Sequence, residues 1–273
     1  MRADPSPRLT SRGSGAVIAF VGSEASGKST LLAETERCLR PRYVVHRVHA
    51  GKPPPTSLTV VPNLLLPALR AAFPQQRSTR IDLRSSDEIK ASRHVADLPA
   101  LFAVRAVMLA HDRHAQLRRA SARAAAGAVV LSDRYPSADV GAPDSRQLPA
   151  AAGAPRLFAV REWLARLEWR LYEDIPPPDL VFHLTAPLGL VLERNRTRDK
   201  IEPEDLVRLR HRQAAGLRFE GTVVHKIDTT RPLVESIEEV RCAVLDLLTS
   251  TDHQQPVVRP IRRRRDGLRR SHA

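Results

Sequence analysis

Residues 22–29 read Gly-Ser-Glu-Ala-Ser-Gly-Lys-Ser, which has the spacing G-x-x-x-x-G-K-[ST]. No other feature restricts the fold of this chain as tightly. The apolar, partly β-branched run Ala16-Val17-Ile18-Ala19-Phe20-Val21 precedes it and reads as a buried strand. Thr30-Leu31-Leu32-Ala33-Glu34-Thr35-Glu36 follows with its leucines and acids at helical spacing. A strand that ends in a glycine loop opening a helix aims backbone N–H groups and the positive end of the helix dipole at one point, which makes an anion cradle. In that context Gly22, Ser26, Gly27, Lys28, Ser29 and Thr30 are expected to take the phosphates of ATP. Lys28 reaches the β- and γ-phosphates, and the Ser29 hydroxyl ligates Mg²⁺.

The rest of the chain alternates in the same way. Strands are predicted at Tyr43–Val48, Ala128–Ser132, Leu180–Leu184 and Val223–Ile227. Helices are predicted over 98–125, with Asp97 as N-cap, through Leu164, Leu167, Leu171 and Ile175, and over 188–195, 204–219 and 233–248. Strands that alternate with crossover helices give an α/β, doubly wound parallel five-stranded sheet flanked by helices. The expected organisation is a flexible arm over 1–14 and one core domain over 15–250. That domain would carry an insert at 51–95 and a lid near 194–203, and a basic, disordered tail would follow over 251–273.

Composition adds bounds. A chain of 273 residues with 42% hydrophobic content buries a full core, and no apolar run is long enough for a membrane span. The start lacks a secretory signal, and Cys38 and Cys242 stand without partners at metal-ligand spacing. Both cysteines read as small core residues of a cytoplasmic protein. The net charge of +14 is unevenly spread, because residues 259–270, with seven arginines and one acid, alone supply +6. Such a tail is a solvated appendage or a contact for an anionic surface or nucleic acid. The other expected partners are a small-molecule phosphoryl acceptor and, as a candidate assembly, a homodimer.

Three further groups carry chemistry. Asp133 lies just past the third strand, at the edge of the sheet where ligands gather, and suits the Mg²⁺ shell or the acceptor. Arg134 beside it offers a bidentate fork for an acceptor phosphate. Residues 193–200, Glu-Arg-Asn-Arg-Thr-Arg-Asp-Lys, place Arg194, Arg196, Arg198 and Lys200 on one short segment between two helices. Arginines closing over a migrating phosphoryl group stabilise its spreading charge, so Arg194 and Arg198 join Lys28 and Asp133 as candidate catalytic residues. The long helix presents Phe102, Arg105, Leu109, Asp112 and Arg113, an aromatic one turn from an arginine that suits a base and its phosphate or, equally, a core residue and a surface charge.

Together, Gly22 to Thr30, Asp133-Arg134-Tyr135 and Arg198-Asp199-Lys200-Ile201-Glu202 resemble the thymidylate kinase branch of the P-loop nucleoside monophosphate kinases. Pro178 to Leu184, and Lys226-Ile227-Asp228 followed by Pro232 to Glu235, are similar to that branch's fourth strand and its closing strand and helix. The likeness covers about 16–50 and 97–248. It implies a sheet of the P-loop NTPase, nucleotide-kinase type with a lid, in which Glu24 approaches the sugar hydroxyl of the acceptor and Arg134 grips its phosphate. Tyr135, Phe102 and Arg105 or Arg113 are the remaining candidate acceptor contacts. Ala25 stands where the family usually has glycine, and 51–95 has no counterpart. The same scaffold also suits a different acceptor, such as a sugar or a surface-polysaccharide precursor. A nucleotide-dependent switch without small-molecule transfer is the third reading.

Overall fold

The computed structural model describes residues 15–60, 100–149, 159–198 and 201–253. The arm over 1–14, most of the 51–95 insert, Asp199 and Lys200 of the lid, the expected cap Asp97 and the tail from 254 onward lie outside these residues.

The central strand, β1 (Ala16–Gly22), is apolar throughout because both of its faces are covered. Around it stand β2 (Val45–His49), β3 (Val129–Asp133), β4 (Leu180–Thr185) and β5 (Val223–Asp228), in the order β2-β3-β1-β4-β5. Every pairing is parallel, with Phe20 in register with both Asp133 and Phe182. The helices are α1 (Lys28–Leu39), α2 (Ala100–Ala125), α3 (Ala159–Glu173), α4 (Leu188–Arg196), α5 (Glu204–Ala215) and α6 (Leu233–His253). The expected doubly wound α/β architecture is therefore present.

Alternate residues of β1 feed the two cores, as the two-residue period of a strand requires. Ile18 and Phe20 pack with Leu31 and Leu32 of α1 and Val240 and Val244 of α6 on one face. Val17, Ala19 and Val21 pack with Leu117, Ala120 and Ala124 of α2 on the other. A smaller cluster joins Phe102 and Ala106 of α2 to Leu164 and Ala165 of α3, and another joins Val191 and Leu192 of α4 to Val207 of α5.

Some boundaries differ from the sequence expectation. The second strand starts at Val45, because Tyr43 instead packs against the α1 side of the core. The helix predicted to reach Phe219 stops at Ala215, where Gly216 caps it and frees Leu217 and Phe219 to pack under the sheet. Ile175 lies beyond the end of α3 yet is still buried, and α6 runs five residues past Leu248. Neither cysteine is a core residue: Cys38 is half-buried and Cys242 is exposed on the outer side of α6. Among the described residues, no helix is long and apolar enough to cross a membrane.

Candidate active site

The segments at the carboxyl ends of β1, β2, β3 and β5 line one cavity of about 800 Å³. This is where an open α/β sheet collects its ligands. The loop after β1 forms its floor, with Glu24, Ala25, Ser26, Gly27, Lys28, Ser29 and Thr30 all lining the space. Gly27 caps α1 with φ 90°, a left-handed conformation in which a side chain is disfavoured. Ala25 adopts φ 55°, so the turn keeps the shape that a glycine would ease. Gly22 closes β1, and the Ser26 hydroxyl donates to the Ser23 carbonyl at 2.9 Å. Ser29 and Thr30 are exposed in the first turn of α1.

Lys28 is folded back into this loop. Its ammonium donates to the Ser23 carbonyl, to the Gly22 carbonyl at 3.2 Å and to Ser26 Oγ at 3.5 Å. Burial, reinforced by the neighbouring Arg134 charge, lowers its pKa to about 8, against the pull of Glu24, Asp133 and Asp144.

Beside the loop, Asp133 Oδ2 lies 3.4 Å from His49 Nδ1 at the end of β2. Asp133 Oδ1 is buried with no hydrogen-bond partner. Burial alone would raise this carboxyl, but the His49 contact and the Lys28 and Arg134 charges hold it below its ordinary value. An orphaned carboxylate oxygen and the exposed Ser29 hydroxyl on one cavity suit a magnesium ion, which takes one or two protein ligands and completes its shell with phosphate and water. Among the described residues, no cluster of three or more His, Cys, Asp or Glu side chains is placed to hold a metal by itself.

Arg134 is the centre of the charge arrangement. It donates to Glu24 through Nη2 and to Asp144 at 3.1 Å through Nη1. Asp144 also faces Arg113 Nη2 at 3.4 Å, while Glu24 accepts from Arg210 at 3.0 Å and has Arg198 at 3.8 Å. The result is a chain of alternating charge, Arg113–Asp144–Arg134–Glu24–Arg210. Burial opposes the Glu24 charge, yet Arg134, Lys28 and Arg210 outweigh it and hold the carboxyl at about 2. The positive φ of Arg134, 73°, turns its side chain along the wall. Gly51 makes room for it, since a Cβ there would run into Arg134 Cδ.

A second cavity of about 220 Å³ adjoins the first and shares Arg134, Asp144 and Arg210 with it. Phe102, Arg105, Leu109, Arg113, Gln147 and Tyr172 are among its other lining residues. The two helix arginines thus face the same space. Arg113 is buried, donating to the Ala50 carbonyl at 2.7 Å and to the Tyr172 hydroxyl.

The loop that carries Asp144 is pinned by Glu168, fully buried on α3, which accepts from the N–H groups of Gln147 at 3.0 Å and Leu148 at 2.8 Å. Burial pushes the Glu168 carboxyl up to about 7 despite those two donors and the charges of Arg113 and Arg146. A carboxyl raised on folding stabilises the fold fully below about pH 4.5 and loses that contribution as pH rises through about 7. The unfolding free energy of the protein relative to Glu168→Gln is therefore expected to fall by up to about 3 kcal/mol across that window. Urea denaturation of both proteins at several pH values measures it, and a difference independent of pH would contradict the assignment.

Other predicted residues sit elsewhere. Arg194 lines the main cavity but is engaged, donating to Thr229 Oγ1 at 3.1 Å and to the Thr229 carbonyl at 2.7 Å. It braces the turn after β5. Arg196 turns outward to Glu204 at 2.6 Å, whereas Arg198 is exposed on the cavity rim. Tyr135 is not brought to the main cavity; its ring is in the core and its hydroxyl donates to the Pro176 carbonyl at 2.6 Å. Sequence reasoning missed His49, Asp144 and Arg210. The strand-end rule that found Asp133 also applies to His49, whereas Asp144 and Arg210 stand in a turn and on a polar helix face with nothing local to distinguish them.

No protein-family profile matches the chain. It is similar to the protein described as "Uncharacterized ATP-binding protein YghR" in Escherichia coli strain K12 and to the protein of the same description in Escherichia coli O6:H1 strain CFT073. Each is 25% identical over 236 residues, covering 84% of this chain and 86% of the relative. The likeness spans most of both chains.

Proposed function

We propose that this chain is an ATP-dependent phosphotransferase that moves the γ-phosphoryl group to a nucleoside monophosphate. One observation carries this reading: two cavities of unequal size meet at Arg134, one floored by the phosphate loop and the other backed by Phe102. The ATP-binding description of the YghR relatives agrees with the donor half. The acceptor half rests on charge and size. The smaller cavity is lined by Arg105, Arg113, Arg134 and Arg210 against Asp144 alone, a balance that favours an anionic acceptor over a neutral sugar. Its volume suits one heterocycle, with Phe102 at hand for contact with the ring.

In this reading, Lys28 leaves the loop carbonyls to meet the β- and γ-phosphates, and the α1 N-terminus supplies backbone N–H donors. Ser29 and Asp133 would hold Mg²⁺, which when bound would supply positive charge against the phosphates. Arg134 orients the acceptor phosphate at the junction. Arg198 and Arg210 close over the migrating group and exclude water, because a preorganised cation acts most strongly in a dry site.

A coupled ADP-release assay with Mg²⁺ and ATP tests this. Turnover is expected with one or more nucleoside monophosphates. Turnover of sugars alone would move the acceptor class, and ATP binding without transfer to any small acceptor would sink the proposal.

A further inference from the structure

Glu24 belongs to the phosphate loop, yet its carboxylate does not face open solvent. Three arginines from three segments converge on it: Arg134 from the turn after β3, Arg210 from α5 at 3.0 Å, and Arg198 from the stretch after α4 at 3.8 Å. All three line the main cavity. The carboxylate therefore stands where three cations would otherwise converge on a phosphate oxygen. Arg134 does not depend on it for position, because Asp144 holds the other edge of the guanidinium at 3.1 Å.

We propose that Glu24 is a built-in counter-anion, holding these arginines together until the phosphate of an incoming ligand takes them over. The consequence is a charge threshold. A monoanionic ligand exchanges one negative charge for another and gains little, whereas a phosphate dianion brings more charge and more acceptor oxygens than the carboxylate it displaces. Arg198 and Arg210 stay drawn towards the phosphate loop in the absence of ligand, so closure costs them little further ordering. This role differs from that of an acid facing a sugar hydroxyl: it acts on anion affinity, with no sugar required. The inference rests on the proposed use of Arg134 as the wall for the acceptor phosphate.

The test is calorimetric titration of the nucleotide-free full chain with inorganic phosphate at low ionic strength. Glu24→Gln is expected to bind phosphate about tenfold more tightly than the parent, since the freed arginines offer charged hydrogen bonds. Glu24→Ala should do the same, which guards against an effect of the amide or a folding defect in one variant. The gain should vanish in Glu24→Gln combined with Arg134→Ala, because pairwise coupling requires both partners. Unchanged or weaker phosphate binding in both single variants, or a gain that survives loss of Arg134, overturns the proposal. Failure of the acceptor reading registers separately, in the ADP-release assay on the unmodified protein.

Discussion

Replacing Lys28 with methionine is expected to lower ATP-dependent ADP release by roughly 10³-fold, as removal of a transition-state cation does. The same change should raise the melting temperature of the nucleotide-free protein. The two effects share one cause. The ammonium is buried against loop carbonyls beside Arg134, and its pKa falls to about 8 from 10.5. A lysine whose folded pKa is depressed opposes folding while it is charged, and the stability withheld by it returns as pH climbs from about 8 to about 10.5. Methionine keeps the length without the charge. The value of about 8 already includes the attraction to Glu24, Asp133 and Asp144, and the loop carbonyls left without their donor offset part of the gain, which leaves about 1 kcal/mol, or about 3 °C in a domain of this size. The gap between parent and variant should narrow when melts are repeated from about pH 7 to about pH 9.5. A variant that is inactive but also less stable would show that the folded-back lysine supports the loop.

The second large effect is expected from Arg134→Ala. The acceptor KM should rise by about 10²-fold or more, with the affinity for ATP alone within a few-fold of the parent. Two carboxylates, Glu24 and Asp144, then lose a shared partner in a wall where both are largely shielded from water. Breaking a buried charge pair by removing one member costs about 3–5 kcal/mol. Arg113 and Arg210 stay with the stranded acids, so about 2 kcal/mol is the expected loss in chemical denaturation. Steady-state kinetics with the acceptor varied at saturating ATP, and then the reverse, separate the two substrates. Loss of ATP affinity alone would place Arg134 on the donor side.

The donor side was legible in the sequence because a phosphate loop is local. Its residues are consecutive, and its flanking strand and helix announce themselves by period. The parallel sheet followed from the same alternation, and Asp133 and Arg134 from their place at a strand end. The proposed acceptor side is assembled from residues far apart in the chain. Glu24 meets Arg210 across 186 positions, and Arg113 meets Asp144 through a loop clamped by Glu168. No short pattern marks such meetings. Arg194 illustrates the opposite error: its segment suggests a lid, but its helix turns the guanidinium onto Thr229. Tyr135 belonged to a recognisable run, yet beyond the end of the strand and the positive φ of Arg134 its ring packs in the core with Val130, on the face opposite Leu131.

Among the described residues, three that are not glycine have positive φ: Ala25 at 55°, Arg134 at 73° and Asp144 at 63°. All three sit on the charge chain or next to it. Each such residue costs on the order of 1 kcal/mol or more, tolerated because its surroundings dictate the turn. Laboratory evolution for heat resistance would find glycine early at position 25 alone, since it relaxes the backbone there without removing an ion pair. At 134 and 144 that relaxation deletes a charge of the wall, whereas at 25 it touches only a methyl group. A thermostable lineage is thus expected to change at 25 and to keep the residues at 134 and 144, whose charges hold the wall together.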